Sequence, residues 1–251
     1  MREQIIPRAR PDDDTLGADK SEPPIEQAEK VPFAKIEELV PGINLEGLKE
    51  EKPGYYSAKL TYPTNTLGMD TPYSAGFLGK GKERREKIKE LQKFVKDRVV
   101  VDLGAGRYGA VYEMSCLAEA RGYIGIELYR PHQLYHTLTH LSAEHGNNKV
   151  PACVVGEDMR AFLKRLPDNS VCIVSFGIDG DILGDMSDAD HKELREQVSR
   201  VIHNNSAQIS GEESVITGDS LHEYTSYEEK NRPKYKEVLD YLIRTKTPQK
   251  S

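Results

Sequence analysis

The sequence predicts an α/β protein with a mostly parallel central sheet, on three observations. First, the β-branched run Val99-Val100-Val101 leads through Asp102 into Gly104, Gly106 and Gly109. That is the pattern of a buried strand turning sharply into a helix. Second, the apolar runs at 123–127, 151–156 and 171–176 alternate with helical patterns, as repeated strand–helix units do. Third, 251 residues suffice for one good-sized domain with extensions and an ample core.

Composition narrows the class further. A formal charge of -6 argues against generic nucleic-acid binding, which needs a basic face. Cys116, Cys153 and Cys172 are odd in number, lie in apolar runs and lack Cys-x-x-Cys spacing. They read as free thiols in a reducing compartment. Acids follow the first eight residues where a signal core would be apolar, and no stretch approaches membrane-spanning length. A cytoplasmic protein without membrane contact is expected.

From the N-terminus, residues 1–30 hold Asp12-Asp13-Asp14 and Pro23-Pro24 with few apolar side chains. Such a composition does not repay the entropy of ordering, so a disordered polar tail is predicted. Residues 31–80 form an extension. Phe33, Ile36, Leu39 and Val40 stand at helical spacing before Pro41-Gly42, a patch suited to docking on its own domain or on a protein partner. Between Tyr55 and Leu78 the tyrosines Tyr55, Tyr56, Tyr62 and Tyr73 and Phe77 are broken up by Pro63, Gly68, Pro72 and Gly76. That segment reads as a loop with short extended pieces and could serve as a lid. Its aromatics either pack it onto the domain or stack on a ligand.

The main domain is expected over 81–251. Residues 82–97 predict a helix, with Ile88, Leu91, Phe94 and Val95 as one apolar stripe and a solvated face of Lys, Arg and Glu. After the glycine turn, 110–120 is helical, and 123–127 is a short buried strand ending in Glu127. Pro131 opens the next helix, which carries His132, His136 and His140 along one face. Consecutive turns are about 5.4 Å apart, so one helix alone could ligate a metal only in part; no metal site is predicted. A strand over 151–156 leads to Gly156-Glu157-Asp158-Met159, where Asp158 can cap a helix over 159–166. The strand at 171–176 runs into Gly177-Ile-Asp179-Gly-Asp181. The pattern then predicts a helix over 191–202, a strand or hairpin over 207–217, and a last helix over 227–244 with Tyr235, Val238, Leu239 and Leu242 inward.

The glycine turn indicates a nucleotide cofactor: no Cβ blocks a close approach, and free N–H groups of the following helix face the same spot. Gly-x-Gly-x-x-Gly alone fits a dinucleotide. An acid at the strand end, Asp102, suits a ligand bearing an amine better than a pyrophosphate. Glu127, at the end of the next strand, is placed to accept both ribose hydroxyls under either reading.

Val100-Val-Asp-Leu-Gly-Ala-Gly106 resembles motif I of the class I S-adenosylmethionine-dependent methyltransferases, and the resemblance extends over roughly 82–219. It implies a Rossmann-like three-layer sandwich with S-adenosylmethionine as cofactor and S-adenosylhomocysteine as product. It places Gly104, Ala105 and Gly106 against the methionine moiety, Asp102 near its amino group, and Glu127 with Leu128 at the ribose. Asp158 would accept from the adenine amino group while the Met159 N–H meets the ring. Tyr73 and Ser74 would contact cofactor or substrate. Asp179 and Asp181 would orient an acceptor, small molecule or protein, or act as base. Asn-Pro-Pro-Tyr, the signature of the amino-methylating nucleic-acid and protein-glutamine enzymes, is missing at this position. A complete family sheet has seven strands, and the pattern reveals no convincing sixth or seventh, which leaves open a sheet reduced at its C-terminal edge, edges supplied by a partner, or a domain that binds cofactor without turnover. That shortfall and the polar tail suggest a non-catalytic interaction protein of this fold as a second outcome, and the Gly-x-Gly-x-x-Gly spacing an NAD(P)-dependent oxidoreductase as a third.

Overall fold

The computed structural model describes residues 30–58, 81–107, 109–141, 149–176, 187–211, 218–224 and 241–246. Five parallel strands form its centre: β3 (Val99–Leu103), β4 (Gly122–Ile126), β5 (Ala152–Gly156), β6 (Val171–Ser175) and β7 (Ala207–Gly211). Each of the first four is five residues long and buried throughout, which is why their sequences are apolar without alternation. Val99 and Leu103 of β3 pair with Gly122 and Ile126 of β4, and Ile126 in turn pairs with Val155 of β5. The strands therefore end in step, and the loops leaving them open along one edge of the sheet.

The intervening helices cover both faces. With α2 (Gly81–Val95), α3 (Ala110–Leu117) and α4 (Pro131–His140) pack Val100, Val154 and Val174, among Leu91, Val111, Met114, Leu134 and Leu138. On the opposite face lie α1 (Ile36–Leu39), α5 (Met159–Arg165) and α6 (Asp188–Val201). There Val99, Val101 and Leu103 meet Leu39, Phe162, Leu163 and Val198. Alternate residues of β3 thus enter different cores, as the strand period of two requires. Asp102 shares its face with Val100. The predicted three-layer sandwich is present. Among the described residues no helix is long and apolar enough to cross a membrane, and all three cysteines are free and buried.

The sheet is not reduced at its C-terminal edge. β9 (Tyr241–Lys246) runs antiparallel beside β7, and β8 (Leu221–Glu223) pairs antiparallel with β9. From β5 to β8 the order β5-β4-β3-β6-β7-β9-β8 makes seven strands. The helix expected over 227–244 is corrected at its end, because 241–244 is strand; residues 225–240 lie outside the described ones.

The N-terminal extension joins the same sheet. A hairpin of β1 (Leu48–Lys52) and β2 (Tyr55–Ala58) adds to it, with β2 parallel to β5. Gly54 makes the turn at φ +67, and a Cβ there would stand 2.9 Å from that of Phe33. Tyr135 of α4 holds the hairpin down: its hydroxyl donates to the Pro53 carbonyl, and its ring lies 4.5 Å from Phe33 and 5.3 Å from Tyr55. The apolar patch at 33–40 docks on its own domain. Ile36, Leu39 and Val40 are buried, but the helix is only four residues, since Phe33 is drawn into a bridge with Ala152. The outer strand, Leu-Lys-Glu-Glu-Lys, is charged and exposed, which discourages edge-to-edge pairing.

Candidate functional site

Gly104, Ala105 and Gly106 leave β3 at the edge where the parallel strands end. Gly104 and Gly106 adopt φ +67 and +61, a region costing other residues about 1–2 kcal/mol. The Ala105 N–H donates to the Ile126 carbonyl at 2.9 Å, fastening the turn to the end of β4. A Cβ built on Gly106 would meet nothing within 4 Å among the described residues. Those residues leave room for a ligand to lie against the turn's backbone.

Glu127 closes this space from the next strand. Its Oε2 accepts the Gly106 N–H at 3.0 Å, while Oε1 accepts from the N–H groups of Tyr129 and Arg130 at 2.9 and 3.3 Å. Three backbone donors therefore fix the carboxylate at the mouth. Leu128 follows, half-buried, and Tyr129 is an exposed aromatic beside it.

Asp102 is the buried member. Its Oδ2 accepts from the Tyr123 hydroxyl at 3.0 Å. Burial pushes its carboxyl up to about 8, the Tyr123 hydrogen bond opposes this, and the nearby Glu127 charge adds to it. Burial also drives the Tyr123 phenol up, with Asp102 reinforcing the shift. Sequence reasoning missed Tyr123 and its enabling residue, Gly125. Tyr123 stands opposite Val100 and Gly125 opposite Asp102, so the phenol must pass over Gly125 to reach the acid. A Cβ on Gly125 would stand 2.8 Å from the Tyr123 oxygen and 2.6 Å from a Leu134 methyl. An isolated glycine in a buried strand was the available signal.

Two expected outcomes follow. Gly125→Ala will cost about 1–3 kcal/mol through overpacking and weaken the Tyr123–Asp102 bond. Urea unfolding checks it, and wild-type stability would show that the strand accommodates a methyl. The second concerns pH. The folded protein keeps the Asp102 proton up to about 8, whereas the unfolded chain releases it near its ordinary 3.8. Between those values the folded state binds more protons, so Asp102 makes stability fall as pH rises. Asp102→Asn removes that slope: its unfolding midpoint will gain on wild type from pH 5 to pH 8. Parallel profiles would place the carboxyl at its ordinary value.

The end of β5 supplies the third corner. Asp158 caps α5, its Oδ1 accepting the Arg160 N–H at 2.9 Å, and both its oxygens engage the Arg160 guanidinium. Capping and charge pairing thus use most of its acceptor capacity. Met159 opens α5 and packs partly against the core beneath. The neighbouring acid, Glu157, is taken by Arg165 through two bonds of 2.7 and 2.8 Å. Tyr73, Ser74, Asp179 and Asp181 lie outside the described residues. The structure brings together Asp102, the glycine turn and Glu127. Asp158 and Met159 stand past the strand beyond β4.

His132, His136 and His140 are exposed along α4. The rings of His136 and His140 stack at 4.1 Å, and His140 Nδ1 lies 2.8 Å from the His136 carbonyl. No group of three or more His, Cys, Asp or Glu able to hold a metal occurs among the described residues.

No protein-family model matches the sequence, and no curated protein sequence matches it. Solved structures do show similarity. One is a TehB-like S-adenosylmethionine-dependent methyltransferase from Corynebacterium glutamicum: 13% identity and TM-score 0.41, over 67% of this chain and 90% of that one. The chain is also similar to precorrin 8w decarboxylase from Methanobacterium thermoautotrophicum, with 19% identity and TM-score 0.35 over 66% and 73%. A third is the glycopeptide N-methyltransferase MtfA bound to S-adenosylmethionine, with 16% identity and TM-score 0.37 over 57% and 61%. At these identities and TM-scores the likenesses assign no function, which has to be read from the chain's own residues.

Proposed function

We propose that the chain is an S-adenosylmethionine-dependent methyltransferase. One observation carries the reading: the Gly106 N–H, which a pyrophosphate would need, is held by the Glu127 carboxylate at 3.0 Å. A glycine turn capped by a carboxylate repels a dinucleotide's phosphates and welcomes a ligand that is cationic at its sulfonium and amino groups. Among the described residues nothing stands over Gly106, which leaves room for such a ligand.

In this reading Gly104, Ala105 and Gly106 hold the methionine moiety and Glu127 takes the ribose hydroxyls. Asp102 faces the amino group from below, and an ammonium there favours its ionised form. Leu128, Asp158 and Met159 attend the adenine end. When bound, the cofactor would supply an activated methyl group for the acceptor's nucleophile. Asp179 and Asp181 are the groups proposed to orient the acceptor, a small molecule or protein, and to take its proton. Most of the acceleration comes from alignment of nucleophile and methyl. The strands whose apparent loss favoured a non-catalytic protein are present as β9 and β8.

Calorimetric titration with S-adenosylhomocysteine, with NAD in parallel, tests the reading. Micromolar binding of the first alone is expected. Binding of NAD, or of neither, rejects it. Asp179→Asn and Asp181→Asn should leave this affinity unchanged while methyl transfer from labelled cofactor falls.

A further inference from the structure

The opposite edge of the sheet, where its parallel strands begin, gathers a second set of polar groups. Arg98 precedes β3, whose first residue pairs with Val171 of β6. The Val171 carbonyl accepts the His203 N–H at 2.9 Å, which fixes His203 beside that strand start. From β9, Lys246 reaches back beneath β7, its Nζ donating to Asn169 Oδ1 at 2.8 Å and to the Arg200 carbonyl at 3.3 Å. Arg98, His203 and Lys246 therefore converge on the turn at 169–171 from three parts of the fold.

Among the described residues no carboxylate forms an ion pair with Arg98, His203 or Lys246. Asp168 pairs with Arg200 at 2.6 Å and Glu119 pairs with Lys96; Asp97 is exposed. The Arg98 Nη1 donates to the Asp97 carbonyl at 3.4 Å, while its Nε is buried with no hydrogen-bond partner among the described residues, an arrangement that costs free energy unless an acceptor arrives. His203 is held below its ordinary value by burial first, then by Arg98 and Lys246. Lys246 is held down by burial and by Arg200, with Asp168 opposing. His203 Nδ1 accepts the Asn205 N–H at 3.1 Å, so the neutral ring carries its proton on Nε2 and remains a donor. Three cationic or donor side chains with one orphaned guanidinium N–H match a tetrahedral oxyanion.

We propose that Arg98, His203 and Lys246 form a binding site for a phosphate group at the edge of the sheet opposite the glycine turn. Arg98 and Gly104 are six residues apart along one strand, roughly 20 Å, so the two sites can be occupied and tested separately. The proposal does not depend on the cofactor assignment.

NMR titration of the His203 imidazole in the full chain tests it, with inorganic phosphate against chloride at matched ionic strength. Saturable phosphate binding should raise the pH at which His203 titrates by about one unit, since an anion reverses the effect of its cationic neighbours. Arg98→Ala and Lys246→Ala should each weaken phosphate binding about tenfold or more. Phosphoserine as a second probe separates two sources: equal affinity assigns a free ion, tighter binding an esterified phosphate. An unmoved His203 titration at saturating phosphate overturns the proposal, and this arm needs no variant to fold. A phosphate response that persists undiminished in both variants overturns it as well.

Discussion

Glu127→Gln will bind S-adenosylhomocysteine about 30- to 1000-fold more weakly than wild type, a loss of roughly 2–4 kcal/mol. The substitution keeps the side chain's length and volume while removing the charge and half of its acceptor capacity. In the proposed complex the carboxylate takes two ribose hydroxyls, and hydrogen bonds to a charged acceptor are each stronger than neutral ones. Glu127 also accepts from Gly106, Tyr129 and Arg130, so the glutamine loosens the turn itself. Those donors belong to half-buried or exposed residues, and water can replace part of what is lost. The stability cost should therefore stay below about 1.5 kcal/mol. Thermal unfolding and calorimetry on one preparation separate the two effects. Wild-type affinity in a folded Glu127→Gln would remove this residue from the site.

The residues at the mouth were legible in the sequence because backbone constraints and strand ends dictate them. Gly104 and Gly106 announce positive φ, and the acid about one strand–helix unit later must fall at the neighbouring strand's end. Asp102 was legible as an acid at a strand end but not as a buried one. Its environment depends on Tyr123 crossing Gly125, a contact between two strands that no local pattern displays. The pair Glu157 and Asp158 was ambiguous for a similar reason: which acid faces inward depends on Arg165, a full helix away. At the C-terminus, Tyr235, Val238, Leu239 and Leu242 imposed a helical period up to the residues that form β9. A six-residue strand with only Leu242 and Ile243 as its large aliphatic residues carries too little alternation to outweigh that stripe. β8 has three residues and no pattern of its own. What fixes both strands is pairing at the sheet edge, a non-local term.

Arg165→Ala should destabilise the fold by about 3–5 kcal/mol, the cost of leaving one member of a buried ion pair alone. The side chains of Arg165 and Glu157 are only 14% and 6% exposed. The guanidinium also donates to the carbonyls of Asn44 and Glu46, so one side chain ties the N-terminal extension to α5. Its loss strands the Glu157 charge and releases both carbonyls. The double variant Glu157→Gln/Arg165→Met should recover part of the loss, because the charge no longer needs a partner. Urea unfolding of the three proteins measures this, and a loss under 1 kcal/mol in Arg165→Ala would show that water already screens the pair. The consequence reaches the candidate site. Glu157 directly precedes Asp158 and Met159, so the clamp that docks the extension also sets where α5 begins. In the double variant, weakened cofactor binding despite recovered stability would separate positioning from folding.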